Sequence, residues 1–131
     1  MVHRLDEVIE RRIVAVDISR DKIDLAGQLG ATHSVHADPA DPQAVVDGIR
    51  EAAGDGGPDF VFEAIGLPQT IAQAIGALPP GGTAVLVGLT RFGEVASFEP
   101  FPFVDGGRRI LGSNYGSAVA AVDFPRYAEA Y

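Results

Sequence analysis

Short apolar runs alternate along the chain with stretches whose apolar residues recur at helical spacing, which is the pattern of βαβ folds. Residues 12–17, 59–65 and 83–88 are nearly all apolar and rich in β-branched side chains, as strands buried on both faces should be. Further strands are predicted at 33–36 and 109–112. The pattern therefore predicts an α/β domain with four or five mostly parallel strands.

Helices are predicted between the strands, with proline, glycine and acidic residues at their ends. The predicted helices span 21–29, 42–53, 68–78 and 124–131, and Val2, Leu5, Val8 and Ile9 fit a further helical stripe. In the third helix, Ile71, Ala74, Ile75 and Leu78 are expected to face the core. Residues 91–107 hold four of the seven Phe and are predicted to be rich in loops.

Composition and charge narrow the classes of function. The chain has 131 residues, 47% of them hydrophobic, and no Cys, which excludes disulfide scaffolds and thiolate zinc sites. Its net charge of −8 disfavours nucleic acid and anionic membranes, because phosphate contacts need clustered Lys and Arg. The chain has no apolar run of the length, about 20 residues, that spans a bilayer, and residues 1–12 are charged and lack the apolar stretch typical of a signal peptide. We expect a cytoplasmic protein with a single domain over residues 1–131.

The glycines do not fit the start of a complete dinucleotide-binding fold. Such a fold begins with a strand, a G-x-G-x-x-G turn and a helix. The nearest cluster, Gly54-Asp55-Gly56-Gly57, precedes a strand rather than a helix. We therefore expect a partial doubly wound, Rossmann-like parallel sheet with flanking helices, without its first strand and phosphate-binding glycines. Open strand edges would result, so the chain should either close the gap or pair with another chain.

Six short sequence motifs follow one another along the chain in an order and spacing that resemble those of a known family. They are Ile13 to Asp17 followed by Lys22, Leu29-Gly30-Ala31-Thr32, Phe62-Glu63-Ala64-Ile65-Gly66, Pro80-Gly81-Gly82-Thr83, Val85-Leu86-Val87-Gly88 and Ile110-Leu111-Gly112-Ser113. Together they resemble the coenzyme-binding domain of the zinc-type medium-chain alcohol dehydrogenases, over residues 12–131. The resemblance implies an NAD-binding oxidoreductase domain. In that family the catalytic zinc lies in a separate domain, so we expect neither bound metal, nor catalytic residues, nor activity from the chain alone.

The resemblance gives cofactor roles to residues at the carboxyl ends of the strands, where such folds bind ligands. Asp17 would accept hydrogen bonds from the adenosine ribose and repel a 2′-phosphate, favouring NAD over NADP, with Lys22 at the same ribose and Ile18 over the adenine. Around the nicotinamide half it implies Ala64, Ile65, Gly66, Val87, Gly88, Leu89, Ser113 and Tyr115, the last two also near a subunit contact. For Asp17 and Lys22 the alternative is solvated charges beside a helix.

Cofactor binding is expected to be weak, because the phosphate-binding turn is missing. Each charge-assisted hydrogen bond contributes roughly 1.5–3 kcal/mol. Losing two of them lowers affinity roughly a hundredfold or more, at about 1.4 kcal/mol per tenfold. Any NAD binding should therefore be residual.

Three polar residues lie within predicted strands, at positions 33, 36 and 63. Glu63 lies in an apolar strand, where an unpaired carboxylate is costly, so we expect an ion pair with an Arg. His33 and His36 lie near Asp38, but residues three apart on a strand point to opposite faces, which argues against a metal site.

Two other classes of function stay open. An S-adenosylmethionine-dependent methyltransferase-like fragment is compatible with an acidic residue after a strand and with the segment Leu78-Pro79-Pro80-Gly81-Gly82. A non-enzymatic module that forms a homodimer, or binds a partner chain, through its sheet edges is the other alternative.

Overall fold

The computed structural model describes residues 12–54 and 56–130, in two compact units that divide after Gly57. The helical stripe predicted at Val2, Leu5, Val8 and Ile9 lies outside the described residues, as does Tyr131. No helix in the described ranges is long and apolar enough to cross a membrane.

The first unit is built on two parallel strands, β1 (Val14–Asp17) and β2 (His33–His36), paired along their whole length. Helix α1 (Arg20–Gln28) connects them, and α2 (Pro42–Ala53) follows. Helix α2 forms because its buried apolar stripe is bounded by strong end signals. The Asp41 side chain accepts a hydrogen bond from the Ala44 amide at 3.0 Å, as an N-cap should.

The second unit holds a three-stranded parallel sheet in the order β3 (Phe60–Glu63), β4 (Thr83–Leu86) and β5 (Arg109–Gly112). Its helices are α3 (Pro68–Ala77), α4 (Pro100–Asp105) and α5 (Ala120–Ala130). Helix α3 packs its apolar stripe on the sheet. The buried core consists of Ile71, Ile75, Leu78 and Ala84, bordered by Val61, Leu86, Ala96, Phe103 and Ile110.

The predicted α/β class is confirmed: the described strands are parallel and flanked by helices, as in a partial Rossmann-like fold. The predicted bounds hold for β2, α2 and β5. The described strands form two sheets, one of two strands and one of three.

Three local features differ from what the sequence pattern predicts. Residues 91–107 contain helix α4, whose first proline, Pro100, stands in the first turn, where no amide is needed. Helix α5 begins at Ala120, four residues before the predicted start, and includes Pro125. Strand β3 is not buried on both faces, because the stacked rings of Phe60 and Phe62 are 60% and 68% exposed.

Candidate functional site

The carboxylate of Asp17 stands at the carboxyl end of β1 and is oriented by the backbone beyond it. Its Oδ1 accepts a hydrogen bond from the Ser19 amide at 2.8 Å. Its Oδ2 lies 3.9 Å from Lys22 Nζ, and the two side chains are 28% and 72% exposed. Such a long, exposed ion pair contributes little to stability. The Ser19 amide therefore fixes the carboxylate, and Lys22 adds a nearby positive charge.

Residues at the end of β2 also bind the main chain of Asp17 and Ile18. Asp17 stands opposite His36 in the parallel register, and the Ala37 amide donates to the Asp17 carbonyl at 3.0 Å. His36 Nε2 lies 3.0 Å from the Ile18 carbonyl, which only accepts, so Nε2 donates. Our sequence analysis missed this role of His36. Its position at the end of the neighbouring strand was the available signal.

Glu63 is the last residue of β3 in the second unit, and it accepts five hydrogen bonds from the residues that follow the strands. Its carboxylate Oε1 accepts from the amides of Ile65 and Gly66, both at 2.9 Å, and from Thr70 Oγ1 at 2.8 Å. Its main-chain carbonyl accepts from the amides of Val87 and Gly88, at 2.8 and 2.9 Å. Glu63 therefore links the turn after β3 to the segment after β4.

The expected ion pair between Glu63 and an Arg is wrong: in the described part of the chain, Oε1 of its carboxylate instead accepts hydrogen bonds from two turn amides and a hydroxyl. The side chain is only 4% exposed, and its Oε2 has no hydrogen-bond partner there. Charge-assisted bonds from backbone amides stabilise a buried carboxylate as a cation would. Thr70, the third residue of α3, was not anticipated.

Gly66 and Gly88 bring the two loops into backbone contact. Gly66 has φ +81°, and a Cβ there would lie 2.5 Å from the carbonyl oxygen of Leu89. A Cβ on Gly88 would meet the Gly66 amide nitrogen and stand 2.8 Å from Glu63 Oε2. Only glycine fits at these two positions without a shift of the neighbouring backbone. The structure thus brings together three of the predicted residues, Gly66, Gly88 and Leu89.

The remaining predicted residues lie on or after the same strand ends. Ala64 and Ile65 are exposed within the turn after β3, and Val87 is exposed after β4. The Ser113 amide donates to the Leu86 carbonyl at 2.9 Å, which extends the β4–β5 pairing toward the same end. Tyr115 is exposed, begins a short 3-10 turn and has φ +53°.

The histidines of β2 are engaged with separate partners. His33 Nδ1 lies 2.9 Å from Thr32 Oγ1, whereas His36 binds the Ile18 carbonyl. Within residues 12–54 and 56–130 no three His, Cys, Asp or Glu side chains are grouped as they would be to hold a metal ion.

Known proteins match nearly the whole chain. Alcohol dehydrogenase class-3 of Drosophila melanogaster is 35% identical over 122 residues, which are 92% of this chain and 32% of that protein. The crystal structure of benzyl alcohol dehydrogenase from Acinetobacter calcoaceticus superposes with a TM-score of 0.78 at 35% identity, covering 92% of this chain and 32% of that one.

A structure from Sinorhizobium meliloti 1021, solved bound to NADP, superposes with a TM-score of 0.68 at 33% identity, over 78% of this chain and 30% of that one. This chain therefore spans about a third of its relatives' length. The matches favour the dehydrogenase resemblance over the methyltransferase-like alternative. The sequence profile described as zinc-binding dehydrogenase matches residues 7–130, and the chain belongs to that family.

Proposed function

We propose that this chain is the NAD(H)-binding domain of an oxidoreductase that transfers a hydride between an alcohol and nicotinamide, and that it does not catalyse this reaction alone. The observation that carries the proposal is the Asp17 carboxylate, held at the carboxyl end of a parallel strand by the Ser19 amide. Family membership and a relative bound to NADP support a nucleotide ligand.

Asp17 binds the adenosine ribose in this proposal. Its partly exposed carboxylate supplies acceptors for the two ribose hydroxyls, and its charge disfavours the 2′-phosphate of NADP. Lys22 contacts the same ribose, and the exposed Ile18 side chain covers the adenine. The chain's own contribution is to bind and orient the nucleotide, because the hydride chemistry belongs to the cofactor.

The second unit holds the nicotinamide half in this proposal. The apolar side chains of Ile65, Val87 and Leu89 are exposed at the strand ends and available to a ring. Ala64 is exposed beside them, and Gly66 and Gly88 carry no side chain that would keep a ligand's carboxamide away from these strand ends. Ser113 and Tyr115, which follow β5, complete the set.

Zinc, which the family's description implies, does not fit the described residues, since no group of three or more suitable ligands occurs among them. We further propose a cytoplasmic location and a single functional domain over residues 1–131.

Isothermal titration of the purified chain with NADH and NADPH tests the proposal. We expect weak, saturable NADH binding, tighter than NADPH binding. Asp17→Ala should lower NADH affinity about tenfold or more, since a hydrogen bond to a charged group contributes about 1.5–3 kcal/mol. The control is Asp24→Ala, which removes the same charge from an exposed position of α1. Equal loss in both variants, or no NADH binding by the folded chain, would refute the proposal.

A homodimer, or a complex with a partner chain, through the sheet edges is a second candidate, favoured by the exposed Phe60 and Phe62 on the edge strand β3. Unpaired edges with apolar side chains promote association. Light scattering behind size-exclusion chromatography should show a species larger than a monomer. A monomer with full hydrogen-exchange protection at residues 13–16 and 61–65 would contradict it.

A further inference from the structure

We propose that Glu63 and Thr70 form a positioning pair, which sets the turn after β3 so that it receives the nicotinamide half of the ligand. This inference rests on the proposed nucleotide-binding function and adds two residues that do not themselves contact the nucleotide. Both lie in the second unit, and each of their contacts lies there too.

The turn is shaped by the carboxylate of Glu63. One oxygen, Oε1, accepts hydrogen bonds from the amides of Ile65 and Gly66 and from the Thr70 hydroxyl, all within 2.9 Å. These bonds fold the chain back over the strand end and hold Gly66 at its positive φ. With the side chain 4% exposed, few waters are at hand to replace these donors, so the turn keeps this one arrangement.

The same residue ties the turn to the next loop by an independent set of bonds. The Glu63 carbonyl accepts from the amides of Val87 and Gly88, and these bonds do not depend on its side chain. Oε2 packs where a side chain at Gly88 would have to stand. The carboxylate therefore sets the position of the β3 turn against a fixed β4 segment.

The hydroxyl of Thr70 holds the Glu63 carboxylate in place. This hydroxyl lies 2.8 Å from Glu63 Oε1 and 2.9 Å from the Leu67 carbonyl, and it also accepts from the Leu67 amide at 3.3 Å. A hydroxyl carries one proton, and the charged oxygen is the stronger acceptor. From the third position of α3, Thr70 thus joins the helix start to Glu63 in the manner of half a capping box.

The test compares NADH and 5′-AMP binding by calorimetry in the full chain. Thr70→Val removes the hydroxyl at nearly constant size, and Thr70→Ser keeps it as the matched control. We expect Thr70→Val to weaken NADH binding about tenfold, equivalent to about 1.4 kcal/mol, with 5′-AMP binding unchanged. Thr70→Ser should resemble the original chain. A general loss of stability would lower both affinities, so unchanged NADH binding, or equal loss of both ligands, would overturn the inference.

Amide hydrogen exchange decides the inference even if the chain binds no nucleotide, in which case the proposed function alone has failed. The amides of Ile65 and Gly66 should exchange several-fold faster in Thr70→Val than in Thr70→Ser. Those of Val87 and Gly88 should not change. Equal exchange at the turn amides would overturn the inference. If Thr70→Val does not fold, Glu63→Gln, which keeps one acceptor oxygen without the charge, should show the same changes in the same direction.

Discussion

Replacing Gly88 by alanine tests the close approach of the loops after β3 and β4. The added Cβ would meet the Gly66 amide nitrogen and lie 2.8 Å from both Glu63 Oε2 and the Gly66 Cα. Overpacking of this kind costs about 1–3 kcal/mol. Moving Gly66 away would also weaken its 2.9 Å bond to Glu63 Oε1, one of a class that contributes about 1.5–3 kcal/mol.

If that bond is lost as well, the expected loss from Gly88→Ala is therefore about 2.5–6 kcal/mol of unfolding free energy, a large share of the roughly 5–15 kcal/mol of a typical domain. Urea unfolding followed by far-ultraviolet circular dichroism measures it. Gly112→Ala is the matched control, because a Cβ on that strand glycine meets nothing within 4 Å. The control should be neutral or stabilising by up to about 1 kcal/mol. Equal stability of the two variants would refute the reasoning.

Two further stability predictions use paired variants and the same urea assay. Asp41→Ala should lose about 0.5–2 kcal/mol, because Asp41 caps the Ala44 amide, whereas Ser19→Ala should change little, because Ser19 makes no side-chain cap bond. Leu78→Ala should lose about 2–5 kcal/mol from a fully buried site, against about 0.5 kcal/mol or less for Leu89→Ala, which is 83% exposed. Equal losses within either pair would contradict the burial or capping on which that pair depends.

The elements that sequence predicts best are those with chemical signals at both ends. Helix α2 has its predicted bounds because Asp41 and Pro42 begin it and Gly54 ends it. Helix α4 was missed because Pro100 suggests a loop, although a proline in the first turn of a helix removes no needed amide. For Phe60 and Phe62, apolarity predicts burial, but exposure depends on what packs against the strand, which the local pattern does not contain.

The residues of the candidate site likewise include some whose position the sequence predicts and some whose contacts it does not predict. The placement of Asp17 and Gly88 at strand ends could be predicted, because a strand followed by a carboxylate or a glycine is visible in sequence. For Glu63 the need for a partner was predictable, since its apolar neighbours imply burial. The partner itself was not, because backbone amides of a turn that folds back, and a hydroxyl seven residues on, leave no mark in composition or periodicity.

The most direct test of the account is a map of amide chemical shifts during titration of the chain with NADH. The account predicts that saturation shifts the amide of Ser19, which orients Asp17, and those of Gly66 and Gly88 at the other strand ends. The amide of Gly27 in α1, where an added Cβ would meet nothing within 4 Å, should not move. Shifts confined to the β5 edge, or none at all, would contradict nucleotide binding at these strand ends.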